Sequence, residues 1–138
     1  RIKEFIKQGR SASIQALRSV AQSENIDLRF SETRLQSFER LKRSVEKHFA
    51  ASGAHAFTVQ LDQELQGNML LIITEPSLIK LAGLMYDPDR FDNSGGASSE
   101  TISAIREVTN LISVSFTNAM SKLTGSRILP GAPLHMPE

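Results

Sequence analysis

The spacing of apolar residues changes twice along this chain, from a helical period to a period of two and back again. That succession constrains the fold more than any other feature. In residues 2 to 22, Ile2, Ile6, Ser13, Ala16, Leu17 and Val20 recur at close to 3.6 positions, which predicts a helix that Gly9 weakens. Polar Gln22 to Asn25 ends it, and Ile26 to Phe30 alternates as a strand with one buried face does. Ser31 to Thr33 then offers an N-cap for a second helix, over 31 to 49, whose apolar stripe is Leu35, Phe38, Leu41, Val45 and Phe49. Past Gly53 the period becomes two: Phe57, Val59 and Leu61 alternate with Thr58, Gln60 and Asp62. A turn around Gln66 to Asn68 leads into Met69 to Ile73, expected to be the more fully buried strand of a β-hairpin.

The helical period then returns. Thr74, Glu75 and Pro76 supply a cap, an acidic first turn and a helix-compatible proline for a short helix through about Tyr86. Asp87 to Asp89 stops it, and Asp92 to Gly96 reads as a loop. Ser98 or Ser99 caps a long helix, with Glu100 at its positive end. Ile102, Ile105, Ile112, Phe116, Met120 and Leu123 are expected to bury one side of it. Gly125 is a natural C-cap, and Pro130 and Pro133 keep the following chain extended. The order of helix, strand, helix, hairpin, helix and helix predicts an α+β fold, with helices packed on a mainly antiparallel β-sheet.

With 138 residues, 40% of them hydrophobic, the chain suffices for one domain with a real core. No apolar run approaches the roughly 20 residues a membrane helix needs. Cysteine is absent, which excludes disulfides, thiolate metal sites and thiol nucleophiles and fits a reducing, cytoplasmic compartment. His48, His55 and His135 are far apart in sequence, so a histidine metal site is not expected. Residues 1 to 48 carry 11 of the 16 Lys and Arg residues against 6 acids, yet bases and acids alternate and aromatics are few. Arg34, Arg40, Lys42, Arg43 and Lys47 therefore read as a solvated helix face, interleaved with Glu39 and Glu46, and not as a nucleic-acid surface. The chain opens on Arg1 and not on Met, so a natural N-terminus is expected to lie upstream.

Beside the apolar side of the long helix, Ser103, Glu107, Asn110 and Thr117 fall at spacings of four, three and seven and form a polar stripe. A glutamate on such a stripe is ordinary. Asparagine is the informative member, since its amide competes for backbone hydrogen bonds and is a poor choice inside a helix. An acceptor-only carboxylate next to a carboxamide that both donates and accepts suits gripping a cation and holding a water.

The spacing continues past Asn110. Ser103-x3-Glu107-x2-Asn110-x22-Pro133, within "SAIREVTNLISVSFTNAMSKLTGSRILPGAP", resembles the S/D-x3-E-x2-N-x22-P pattern of the CheC, CheX and FliY phosphatases of the chemotaxis regulator CheY, CheC most of all. "GNMLLIITEPSLIKLAGLMY" is similar to the buried strand and short helix of that family. The resemblance implies a pseudo-two-fold internal repeat, with long signature helices packed on the sheet. A shift of 103 positions places Glu4 and Lys7 where the second half has Glu107 and Asn110, and Phe30 where it has Pro133. Lys7 has only donors and cannot replace a carboxamide, so the first half-site resembles a degenerate one, and the other reading of residues 1 to 24 is simply a packing helix. One CheC-like domain over 1–138 is then expected: a first repeat helix, strand and basic helical insertion (1–50), a hairpin and short helix (51–97), and the second signature helix and its loop (98–138).

The resemblance further implies the chemistry. The substrate would be the aspartyl phosphate of a CheY-like receiver, which brings its own Mg²⁺, so no metal or cofactor is expected in this chain. Asn110 would orient the attacking water, Glu107 would pair with the receiver's lysine, and Ser103 and Pro133 would shape the adjoining surface. Further partners implied are CheD and, where CheC continues into additional strands, a second copy that supplies the pairing unless the sequence is a truncated fragment. Neither nucleic acid nor a membrane is expected as a partner. The other function open to the same fold is docking without turnover, on a response regulator, CheD or the flagellar switch.

Overall fold

The computed structural model describes residues 2–21 and 36–136. Its elements in chain order are α1 (Ile2–Val20), α2 (Phe38–Ser52), β1 (Ala54–Gln63), β2 (Gly67–Thr74), α3 (Glu75–Met85), a 3-10 turn (Pro88–Arg90), α4 (Ser99–Thr124), β3 (Ile128–Pro130) and β4 (Leu134–Met136). The expected strand at 26 to 30, the cap at Ser31 to Thr33, Arg34 and Leu35 lie outside the described residues, as do the side chains of His48 and Phe49. The result is an α+β fold with helices on an antiparallel sheet.

Strand β1 is central. β2 runs antiparallel along one side of it, from Ala54 opposite Thr74 to Leu61 opposite Gly67. On the other side β3 pairs with the end of β1 and β4 with its beginning, both antiparallel. Leu61 faces Pro130 and Thr58 faces Leu134, so residues 131 to 133 oppose only Val59 and Gln60. β3 and β4 are thus one edge strand broken by a bulge, which inserts an unpaired residue and shifts the register. Gly131 fits there because its N–H donates to the Gln60 carbonyl at 2.8 Å, and a Cβ would lie 3.3 Å from that oxygen.

Phe57, Val59 and Leu61 are buried, as their alternation predicts. The expectation for β2 fails: Leu70 is exposed and Leu71 to Ile73 are only partly buried. Among the described residues β2 pairs with β1 alone, and a strand with one open side is less dry than a central one. The expected stripe of α2 fails too, since Phe38 is 76% exposed and Leu41 is exposed as well. Its bases Arg40, Lys42, Arg43 and Lys47 and acids Glu39 and Glu46 are all exposed, as a solvated face requires.

Helix ends follow their caps. Ser37, Thr74 and Ser98 each accept a hydrogen bond from the backbone N–H three residues on, and Gly125 closes α4 at φ +70°. Ser37 is the cap of α2 as described, directly before Phe38. Among the described residues no helix is long and apolar enough to cross a membrane.

α1 and α4 pack directly on each other. Ser13 Oγ lies 3.4 Å from the Ile112 carbonyl, and a Cβ on Gly9 would lie 2.5 Å from the Phe116 ring, so the two helices are antiparallel. Shifting each residue by the 103 positions of the repeat turns one of these contacts into the other, as a two-fold relation demands. Gly9, which lowers helix propensity, is therefore the point of closest approach. The expected row of large residues on α4 holds in part: Ile105 is fully buried and Ile102 and Ile112 pack against the core, while Phe116 and Met120 are half-buried, Leu123 is exposed, and Thr101, Thr109, Ser113 and Thr117 are buried as well. On α1, small Gly9 and Ser13 let the backbones come close. The buried α4 hydroxyls stay satisfied, Thr109 bonding the Ile105 carbonyl at 2.8 Å, Ser113 that of Asn110 at 3.0 Å, Thr117 that of Ser113 at 2.8 Å and Thr101 the Asn93 side chain at 2.8 Å.

Gly9→Ala should therefore destabilise the protein by about 1–3 kcal/mol through overpacking, which exceeds the ~1 kcal/mol that alanine gains in helix propensity. Chemical denaturation measures this, and Phe116→Leu in the same chain should recover part of the loss.

Candidate functional site

The N-terminal half of α4 is held from beneath by Thr101, Ala104, Ile105, Val108 and Thr109, all buried, with Leu78, Ala82 and Met85 of α3 and Phe57 of β1 in the same core. The alternate face is exposed and carries Ser103, Glu107 and Asn110 on successive turns. A side chain there is placed by a rigid helix and not by a loop. Thr117 does not belong to this stripe, because it is fully buried and its hydroxyl bonds the Ser113 carbonyl.

Glu107 has a neighbour that its spacing does not announce. The Tyr86 hydroxyl donates to Glu107 Oε2 across 3.4 Å. Tyr86 is itself fixed: it is the C-cap residue of α3, its N–H bonds the Ala82 carbonyl at 2.9 Å, and its ring meets Phe91 edge-on at 6.4 Å. Partial burial raises the tyrosine pKa above its ordinary 10.0, and the Glu107 charge and hydrogen bond raise it further, against Arg90. The phenol therefore stays protonated, and able to donate, at neutral pH. Tyr86, Arg90, Phe91, Glu100, Ser103 and Glu107 border a cleft of about 180 Å³.

Asn110 lies one turn beyond the cleft. Its carboxamide is exposed and has no hydrogen-bond partner among the described residues, while its backbone carbonyl accepts from Ser113. Pro133 is buried at the bulge between β3 and β4, both of which pack against α4, and does not line the cleft. Structure thus brings Ser103 and Glu107 into one cleft, sets Asn110 beside it, and assigns Pro133 to the sheet edge.

Glu4 and Lys7 are exposed on α1, and because α1 and α4 are antiparallel they occupy the far end of the helix pair from Glu107 and Asn110. Glu4 Oε1 accepts from Gln8 at 3.0 Å, and Lys7 shares a shallow hollow with Lys3, Ile6 and Arg10. That end presents positive charge where the other presents a carboxylate.

Two histidines that are 80 positions apart meet across the sheet. His55 Nδ1 lies 2.9 Å from His135 Nε2, and the rings stack at 5.1 Å. His55 Nε2 is 3.4 Å from Glu75 Oε1, which also accepts the Ala97 N–H at 3.1 Å. Sequence distance hides this pairing, since only the strand register juxtaposes β1 and β4. Even so, no group of three or more His, Cys, Asp or Glu among the described residues is arranged to hold a metal ion. The chain from His135 to Ala97 ties the last strand to the start of α3 and to the loop that leads into α4.

No protein-family model matches the chain, and no curated protein matches it in sequence. Solved structures do share its fold. FliY of Thermotoga maritima superposes with a TM-score of 0.74 at 18% identity, over 96% of this chain and 64% of that one. A chain of the CheX–CheY–BeF3–Mg²⁺ complex of Borrelia burgdorferi superposes with a TM-score of 0.58 at 17% identity, over 95% of this chain and 75% of that one. This chain therefore has the fold of the CheC, CheX and FliY proteins, and it spans less than two thirds of the length of FliY.

Glu75 offers a test of the histidine network. The Ala97 N–H, then the hydrogen bond from His55, hold its carboxyl below the ordinary 4.5. A depressed carboxylate stabilises the fold above the unfolded pKa, and that contribution disappears as pH falls through the folded one. Glu75→Gln should thus be less stable than wild type at neutral pH, with the gap closing once the pH falls well below 4.5; paired denaturation curves at the two pH values measure it.

Proposed function

We propose that this chain is a member of the CheC, CheX and FliY family that hydrolyses the aspartyl phosphate of a CheY-like receiver. The observation that carries the proposal is the placement of Ser103, Glu107 and Asn110 on one exposed face of a rigid helix, in the spacing of that family's motif. The shared fold supports it. A neighbour solved with CheY supports a receiver as the partner.

The task is one of positioning. An acyl phosphate already bound to the receiver's Mg²⁺ needs a water held in line with phosphorus as the carboxylate leaves. The Asn110 carboxamide carbonyl accepts one hydrogen of that water and aims its lone pair, while Glu107 docks on a partner ammonium through a charge-assisted hydrogen bond. Ser103 lies one turn before Glu107 and completes the contact face. Water adds at phosphorus, the bond to the aspartyl oxygen breaks, and phosphate and free aspartate result; no covalent intermediate on this chain is required.

Phosphoryl loss from a Mg²⁺-loaded, phosphorylated receiver should speed up with catalytic amounts of the protein. Asn110→Ala should cut kcat on the order of 10²-fold with binding retained. Glu107→Ala should instead weaken docking by about 10- to 100-fold. Binding without accelerated loss would make the protein a docking module and remove the role of Asn110.

A further inference from the structure

Glu107 by itself is an exposed helix side chain with three rotatable torsions, and fixing it at the moment of docking carries an entropic cost. In this structure it is not free. Tyr86 reaches it from another element, and three contacts immobilise that residue: its backbone bond to Ala82, its edge-on packing with Phe91, and its place against the core of Leu78, Ala82 and Met85. One hydroxyl hydrogen donated to one carboxylate oxygen selects a rotamer and leaves the other lone pairs open to a cation. The cleft beside the pair is wide enough for waters to leave as a partner arrives.

We propose that Tyr86 is a positioning residue that presets the Glu107 carboxylate for a partner's ammonium group. The inference rests on the reading of Glu107 as the docking carboxylate. Tyr86 touches neither the water nor the phosphoryl group; it acts through Glu107. The strength with which the partner docks then depends on a residue outside α4.

The molecule provides its own probe, because Tyr86 is the only tyrosine and tryptophan is absent. Phenolate absorbance therefore titrates this one group in the intact chain. With the pair formed, the midpoint lies above 10.0 and falls in Glu107→Gln, which removes the opposing charge. A midpoint that Glu107→Gln leaves unmoved overturns the proposal, whatever the protein does to a receiver. In the turnover assay Tyr86→Phe should raise KM roughly 3- to 10-fold with kcat nearly unchanged, and should add nothing to Glu107→Ala. An unchanged KM, or additive effects of the two substitutions, also overturns it. If wild type fails to accelerate phosphoryl loss, the phosphatase reading falls; the titration and the same pair of substitutions scored by receiver Kd still decide the role of Tyr86.

Discussion

Everything in this fold depends on how closely α1 can approach α4. Gly9 admits the Phe116 ring, and Ser13 approaches the Ile112 backbone, because neither offers bulk at the crossing. On the facing helix, Ile112 and Phe116 are the residues that meet them. Such a seam gains less from transfer of apolar area than a leucine seam would and relies more on close packing. It also fixes which way α4 faces. With one side committed to α1 and the sheet, Ser103, Glu107 and Asn110 have no orientation left except toward solvent.

The same antiparallel geometry separates Glu4 and Lys7 from Glu107 and Asn110. Glu4 and Glu107 have equivalent places in the repeat yet lie at opposite ends of the helix pair, each with its own electrostatic surroundings. Around Lys7 the neighbours are Lys3 and Arg10; around Glu107 they are Tyr86, Glu100 and a single Arg90. A cationic partner group meets attraction at one end and repulsion at the other. The difference between the two ends is thus a property of a whole patch and not of position 7 alone.

Much of the fold was legible because periodicity reports burial directly. The α1 helix, the hairpin, α3 and α4 all lie where spacing and caps place them, and Ser98 and Gly125 bound α4. What escaped has one physical origin: tertiary partners. Met69 to Ile73 is as apolar as a central strand, but among the described residues it pairs with β1 alone and is left partly exposed. Phe38 and Leu41 have helical spacing, but no element covers them among the described residues. The candidate site divides in the same way. Ser103, Glu107 and Asn110 share one helix and are visible in spacing, whereas Tyr86, and the meeting of His55 with His135, arise from separate elements brought together by packing and register. Composition held one hint, a lone tyrosine at the predicted end of a helix, and periodicity gave it no role.

The bulge at residues 131 to 133 acts as a phase shift on the sheet. In β3 the even-numbered residues pair with the core side of β1, Ile128 opposite Gln63 and Pro130 opposite Leu61. In β4 the odd-numbered His135 does so, opposite Phe57. One surplus residue therefore decides that an imidazole points inward, while Leu134 and Met136 point outward beside Leu70 and Leu129, all four of them exposed. The far face of this sheet is left greasy by a frame change three residues long, so both of its surfaces, and not just the one beneath the helices, have a reason to be covered.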